Sequence, residues 1–178
     1  TNGEYGKKYI DILQSDNYAY KYYTYEDVGG IYKTTATEYR KDGDIIYHFQ
    51  YSDNKKYSQL LKDNTKFEVH YDIEKIIYSE YEEANFKAEF PKPNYQYYQS
   101  GNCVYEERDL IYERYFDKSN NYYTFIFNEN GEVEIISLYV KSEDSTLYMF
   151  VEEISSAVPD NALQLPNYEK VSVQDFFD

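Results

Sequence analysis

The chain contains no tryptophan, one methionine and one cysteine, and only four prolines and seven glycines are spread over its 178 residues. With Cys103 alone, neither a disulfide nor a thiolate metal site can form within one chain. Cationic residues are scarce too: 18 lysines and arginines face 33 acidic residues, a formal charge of −15. Such a surface repels phosphate backbones, and the basic residues are scattered instead of gathered into a stripe, so nucleic acid and anionic membranes are poor partners. Long apolar runs are missing. Asp44-Ile45-Ile46-Tyr47 and Ile135-Ile136-Ser137-Leu138 fall far short of the roughly 18 residues a spanning helix needs. No glycine-rich phosphate loop, Gly-x-Ser-x-Gly elbow or histidine pair at metal spacing occurs, which leaves enzyme readings without an anchor and no cofactor or metal to expect. The missing Asn-x-Ser/Thr acceptor favours a bacterial origin. A chain that begins at Thr1 suits the mature remainder of an exported precursor.

What is abundant is aromatic: 26 tyrosines and ten phenylalanines. Tyr5, Tyr9, Ile12 and Leu13 at i, i+4, i+7 and i+8 predict a short amphipathic N-terminal helix. From Tyr18 the period changes to two, with Tyr18, Tyr20 and Tyr22 on one face. Turn residues then recur at Val28-Gly29-Gly30, Lys41-Asp42-Gly43-Asp44, Ser52-Asp53-Asn54, Lys62-Asp63-Asn64, Ser119-Asn120-Asn121, Asn130-Gly131 and Ser142-Glu143-Asp144. The runs they bracket include 31–40, 45–51, 57–61, 67–71, 75–78, 103–116, 122–127, 133–140 and 147–154, all rich in Tyr, Ile, Val, Thr and Phe. Asn130-Gly131 marks a hairpin in which both central residues accept positive φ. The rhythm lapses from Ser79 to Pro93, where Ser79-Glu80-Tyr81-Glu82 has the form of a capping box and predicts a short mid-chain helical excursion covering one face. The tail from Ser155 reads as extended with small turns. The expectation is one domain over 1–178, mainly β (α+β): a curved antiparallel sheet or half-barrel of about 8 to 11 strands with an N-terminal helix.

Tyrosine joins an apolar body to a polar tip and so suits the wet edge of a core. Tyr20, Tyr22, Tyr47, Phe49, Tyr123 and Phe125 are the candidate lining of a ligand cavity; cross-strand packing in an ordinary sheet explains the same residues. The absence of tryptophan counts against a sugar-stacking surface. His48 and His70 fit structural roles. Asp117-x-Ser119-x-Asn121 echoes a calcium loop, but Tyr122 and Asn128 stand where glycine and a bidentate glutamate are needed, so it reads as a hairpin turn. The doublets Glu82-Glu83, Glu106-Glu107 and Glu152-Glu153 read as solvated edges, with a carboxylate-dependent hydrolase as the remaining enzyme alternative.

The order helix, Tyr-rich strand, meander, excursion, meander, ending in Val158-Pro159-Asp160-Asn161-Ala162-Leu163-Gln164-Leu165-Pro166-Asn167-Tyr168-Glu169, resembles the lipoprotein-carrier (LolA-like) superfamily of bacterial envelope proteins. Ala162-Leu163 and Leu165-Pro166 match that family's closing phrase, and Asn167 takes its usual glycine position. The resemblance implies a half-barrel enclosing an apolar cavity for acyl chains or lipids. It also implies export to the cell envelope, often with an N-terminal lipid anchor. Tyrosines crowding the core depart from it, since a Tyr-lined space is wetter than an acyl chain prefers. The sequence-level expectation is therefore a monomeric, non-enzymatic, extracytoplasmic binding or sensing module whose partner is a lipid or other apolar ligand, or an envelope protein. The alternative is a structural or protein-interaction domain without a small-molecule site.

Overall fold

The computed structural model of the chain describes residues 2–80, 95–158 and 163–178. It opens with α1 (Glu4–Gln14), followed by β1 (Asn17–Val28), β2 (Ile31–Asp42), β3 (Ile45–Ser52), β4 (Lys55–Lys62), β5 (Thr65–His70) and β6 (Lys75–Glu80). After 81–94 come β7 (Gln96–Tyr105), β8 (Arg108–Phe116), β9 (Tyr122–Phe127), β10 (Val133–Val140) and β11 (Ser145–Ser155), then β12 (Glu169–Ser172) and α2 (Val173–Phe177). All twelve strands belong to one open, curved sheet in the order β12-β6-β5-β4-β3-β2-β1-β11-β10-β9-β8-β7. The chain thus starts at the middle of the sheet, meanders to one edge, resumes at the other and meanders back until β11 lies against β1. Among the described residues the one parallel pairing is β12 on β6, Glu169↔Lys75 to Ser172↔Tyr78.

The turns show how local chemistry sets this meander. Asp53-Asn54 and Asp63-Asn64 close two-residue hairpins with φ of 51° and 61°, and of 53° and 57°. These are the left-handed values that the twist of paired strands selects and that Asp and Asn tolerate. Asp117 accepts the N–H groups of Ser119 and Asn121 at 2.8 and 3.0 Å. Asn128 does the same for Asn130 and Glu132 at 2.9 and 3.0 Å.

Several expectations are corrected. Twelve strands are found among the described residues. The run 103–116 is two strands, because Glu106 and Glu107 (φ 48° and 62°) form a hairpin turn between β7 and β8. The β9–β10 hairpin exists, but Gly131 alone is left-handed there (φ 75°). Asn128 N–H donates to the Glu132 carbonyl across a longer connection. The tail carries β12 and α2 in place of small turns alone. Ser79 and Glu80 end β6 and start no helix. The rest of the anticipated excursion, and residues 159–162 of the closing phrase, lie outside the described residues.

Directly opposed residues of antiparallel strands share a face of the sheet. One face carries Tyr20↔Tyr39↔His48 on one side of the β1·β11 seam and Phe125↔Ile136↔Met149 on the other. Onto this face α1 packs through Tyr9, Ile10 and Leu13, with Ile10 buried where the stripe had offered Tyr5. The core includes Phe125 and Phe127, whose burial contributes about 2–3 kcal/mol each. On the opposite face Ser58, Leu60, Val69 and Ile76 are buried as well.

The helix is positioned by one carboxylate. Its N-cap, Gly3, has φ 82° and no capping side chain. Glu113, fully buried on β8, supplies the missing acceptor: the Tyr5 and Gly6 N–H groups donate to its two oxygens at 2.9 and 2.8 Å. The Tyr115 hydroxyl donates to it as well. Orphan donors and the helix dipole both favour a negative charge there.

Candidate functional site

A cavity lies on the helix face beside the seam. Leu13 of α1, Tyr20 and Tyr22 of β1, Tyr95, and Tyr123 and Phe125 of β9 bound one part of it. Ile136 and Leu138 of β10 and Leu147 and Met149 of β11 complete the wall. Strand alternation explains the set, since each strand contributes residues two apart. Its volume is about 80 Å³. That space holds water-sized groups but is smaller than the roughly 150 Å³ apolar cavity that accepts benzene.

The polar atoms of the lining face one another. Tyr20 and Tyr22 pack at 4.8 Å between ring centroids, and Tyr95 and Tyr123 at 4.2 Å. The Tyr20 hydroxyl donates to the Met149 sulfur at 3.6 Å, and Tyr95 and Tyr123 are hydrogen-bonded to each other. Burial, reinforced by Tyr22 and Tyr39, pushes the Tyr20 hydroxyl well above its ordinary pKa. Burial and then Tyr123 do the same for Tyr95. Burial therefore disfavours the ionised form of both hydroxyls.

Of the six residues singled out in the sequence, Tyr20, Tyr22, Tyr123 and Phe125 come together in this lining. Tyr47 and Phe49 do not. Phe49 stands opposite Glu38 and Ser58, and Tyr47 opposite Arg40 and Leu60, which places both on the other face of the sheet. There Tyr47 is hydrogen-bonded with Ser58 and Tyr71, and its hydroxyl is pushed up to about 12, chiefly by burial. Period two tells which residues of one strand share a face; only the register tells which strands' faces coincide. Leu13, Tyr95, Ile136, Leu138, Leu147 and Met149 were missed. The alternation along 133–140 and 147–154 held that signal for the last four.

The remaining candidates occupy structural positions. His48 stacks on Tyr39 at 4.5 Å and 5° and is buried. Burial lowers its pKa to about 4. No group of three metal-ligating side chains occurs among the described residues. Glu152 pairs with Lys21 at 3.1 Å and Glu153 with Arg40 at 3.9 Å. Hydrogen bonds from Lys21 and Tyr23 hold the Glu152 carboxyl below its usual range, the direction opposite to that of a general acid. Glu82-Glu83 lies outside the described residues. Cys103 is half-buried on β7, its thiol pushed up by burial.

No protein-family model matches the chain, and no curated protein matches it. Among solved structures, an uncharacterized conserved protein from Thermus thermophilus is similar over 94% of this chain and 98% of its own, with 6% identity and a TM-score of 0.51. The complex of MucA and MucB from Pseudomonas aeruginosa is matched over 93% of this chain at 10% identity and a TM-score of 0.47. A second structure, MucB in complex with MucA(peri), gives 93%, 10% and 0.43. The chain spans 61% and 59% of the length of those two matched chains. The shared feature that stands is the fold, held in common with the Thermus protein.

Proposed function

We propose that the chain is a non-enzymatic binding module of the bacterial cell envelope, and that the cavity beside α1 receives a small apolar group. The observation carrying this reading is the lining itself: ten side chains, aliphatic, aromatic or thioether, in which the Tyr20 hydroxyl bonds the Met149 sulfur and Tyr95 and Tyr123 bond each other. Few polar groups in a mostly apolar concavity is the general character of a ligand site. The size favours a branched aliphatic group over an acyl chain, which would need the walls to part. The envelope address rests on the LolA-like closing phrase, and a lipid anchor upstream of Thr1 belongs to the same proposal. Fractionation of the native protein with the cytoplasm would remove that address.

Met149 is the only methionine of the chain, so labelling its methyl carbon places a single NMR probe in the cavity wall. Under xenon, a probe of dry apolar cavities, the Met149 resonance is expected to shift, and Leu138→Trp is expected to abolish the shift. An unmoved resonance would instead favour a structural or protein-interaction domain, a reading supported by ring contacts inside the fold such as Tyr115–Phe125 at 5.4 Å. Mass spectrometry of organic extracts with a fluorescent fatty-acid displacement assay tests the lipid alternative. Sedimentation tests the monomer.

A further inference from the structure

Between β1 and β11 the sheet is only half zipped. The strands pair from Ala19↔Ser155 to Tyr23↔Phe150 and no further. Both continue: β1 runs on through 24–28, bonded to β2 as far as Val28↔Ile31, and β11 includes 145–149, bonded to β10 from Val140↔Ser145. Pairing of β2 with β3 begins only at Thr35↔Ser52, so the β1–β2 ribbon projects past both neighbours. Among the described residues no strand joins the facing edges of 24–28 and 145–149 or pairs with the backbone groups along them, the kind of edge onto which a further strand can add.

The two faces of this slot differ. On the helix face it opens on the cavity, since Leu147 and Met149 belong both to the unzipped part of β11 and to the lining. On the outer face stand Tyr25, Tyr32 and Tyr148, exposed by 52%, 76% and 55%. A strand lying in the slot would send alternate side chains to these two faces. The rim is acidic: Glu26, Asp27, Glu143 and Asp144 are all exposed. Of the nearby lysines, Lys33 is paired with Asp53 at 3.7 Å, and Lys141, exposed in the β10–β11 turn, leaves the four carboxylates in excess. A second copy of a chain of charge −15 is disfavoured there, and a cationic segment is attracted.

We infer that the slot between β1 and β11 docks an extended, basic peptide segment of a partner protein as an added strand, with one aliphatic side chain entering the cavity and its neighbours lying against Tyr25 and Tyr148. Main-chain hydrogen bonds then supply affinity, and the cavity supplies selectivity for a side chain. The inference rests on the proposed apolar-group site, whose size matches a side chain better than a lipid.

The test uses fluorescence anisotropy with a labelled nine-residue peptide of alternating lysine and leucine. Two analogues N-methylated at odd or even positions keep the charge and the side chains but each loses the N–H donors along one edge, so neither can pair with both β1 and β11, and an acidic counterpart replaces lysine with glutamate. The parent peptide is expected to bind, and at least one N-methylated analogue to bind about tenfold more weakly or worse. The acidic peptide is expected not to bind, and the Glu26→Lys/Glu143→Lys variant, with an unchanged circular dichroism spectrum, to lose about tenfold in affinity for the parent. Equal affinity for parent and both N-methylated peptides overturns the inference, as does self-association of the unliganded protein that this variant abolishes. If xenon shifts Met149 and the parent peptide fails to bind, the inference falls and the cavity reading stands; if neither acts, both fall.

Discussion

Gly6 sits where α1 meets β8, and its lack of a side chain is a steric requirement. A Cβ built there would lie 2.3 Å from the Tyr115 hydroxyl and 2.9 Å from a Glu113 oxygen. The helix can dock with its N–H groups on Glu113 only because position 6 is bare. Gly6→Ala is expected to destabilise the fold by about 1–3 kcal/mol, read from the urea midpoint, despite alanine's better helix propensity. His48 governs a pH response. Its imidazole is neutral when folded, with a pKa near 4, against 6.5 when free. The unfolded chain therefore takes the proton first. The stability in question is fully present above about pH 6.5 and is lost as pH falls toward 4, by up to roughly 3 kcal/mol. His48→Phe is expected to flatten the urea midpoint across that window.

At the level of elements, the turns separate what a sequence declares from what pairing imposes. Gly29-Gly30, Asp53-Asn54 and Asp63-Asn64 announce themselves, because glycine, asparagine and aspartate accept left-handed backbone at little cost. Glu106 and Glu107 do not: glutamate has no such preference, and Tyr105↔Arg108 pairing forces both into it. Replacing them together, Glu106→Asn with Glu107→Gly, is expected to raise stability by about 1 kcal/mol, measured as a higher denaturation midpoint. The first part of β7, 96–102, escaped notice for a related reason, since Gln96, Gln99, Ser100 and Asn102 give it a polar composition and only its partner β8 makes it a strand. β12 is four residues long and parallel, a product of tertiary contact with β6. The N-terminal helix and most of both meanders were legible, because local periodicity and turn chemistry agree there. Four of the ten residues that line the cavity were among the six sequence candidates. Tyr47 and Phe49 went astray because which face a strand turns to the helix depends on register across its neighbours.

Over the whole molecule, two pairings close the topology: the central seam, which brings Ala19 against Ser155, and the β12 edge, which brings Glu169 against Lys75. Partners so distant in sequence must meet before either pairing is rewarded, so refolding is expected in milliseconds to seconds, on the slow side for this size, as stopped-flow tyrosine fluorescence would report. Cutting the chain once within 81–94 would leave two pieces, each lending an element to the other. The first piece owns α1, whose anchoring carboxylate, Glu113, is in the second. The second owns β12, whose place is on β6 of the first. That reciprocity is the geometry of a swapped dimer written into one polypeptide, and the nicked protein should elute from gel filtration as a single particle that only denaturant takes apart.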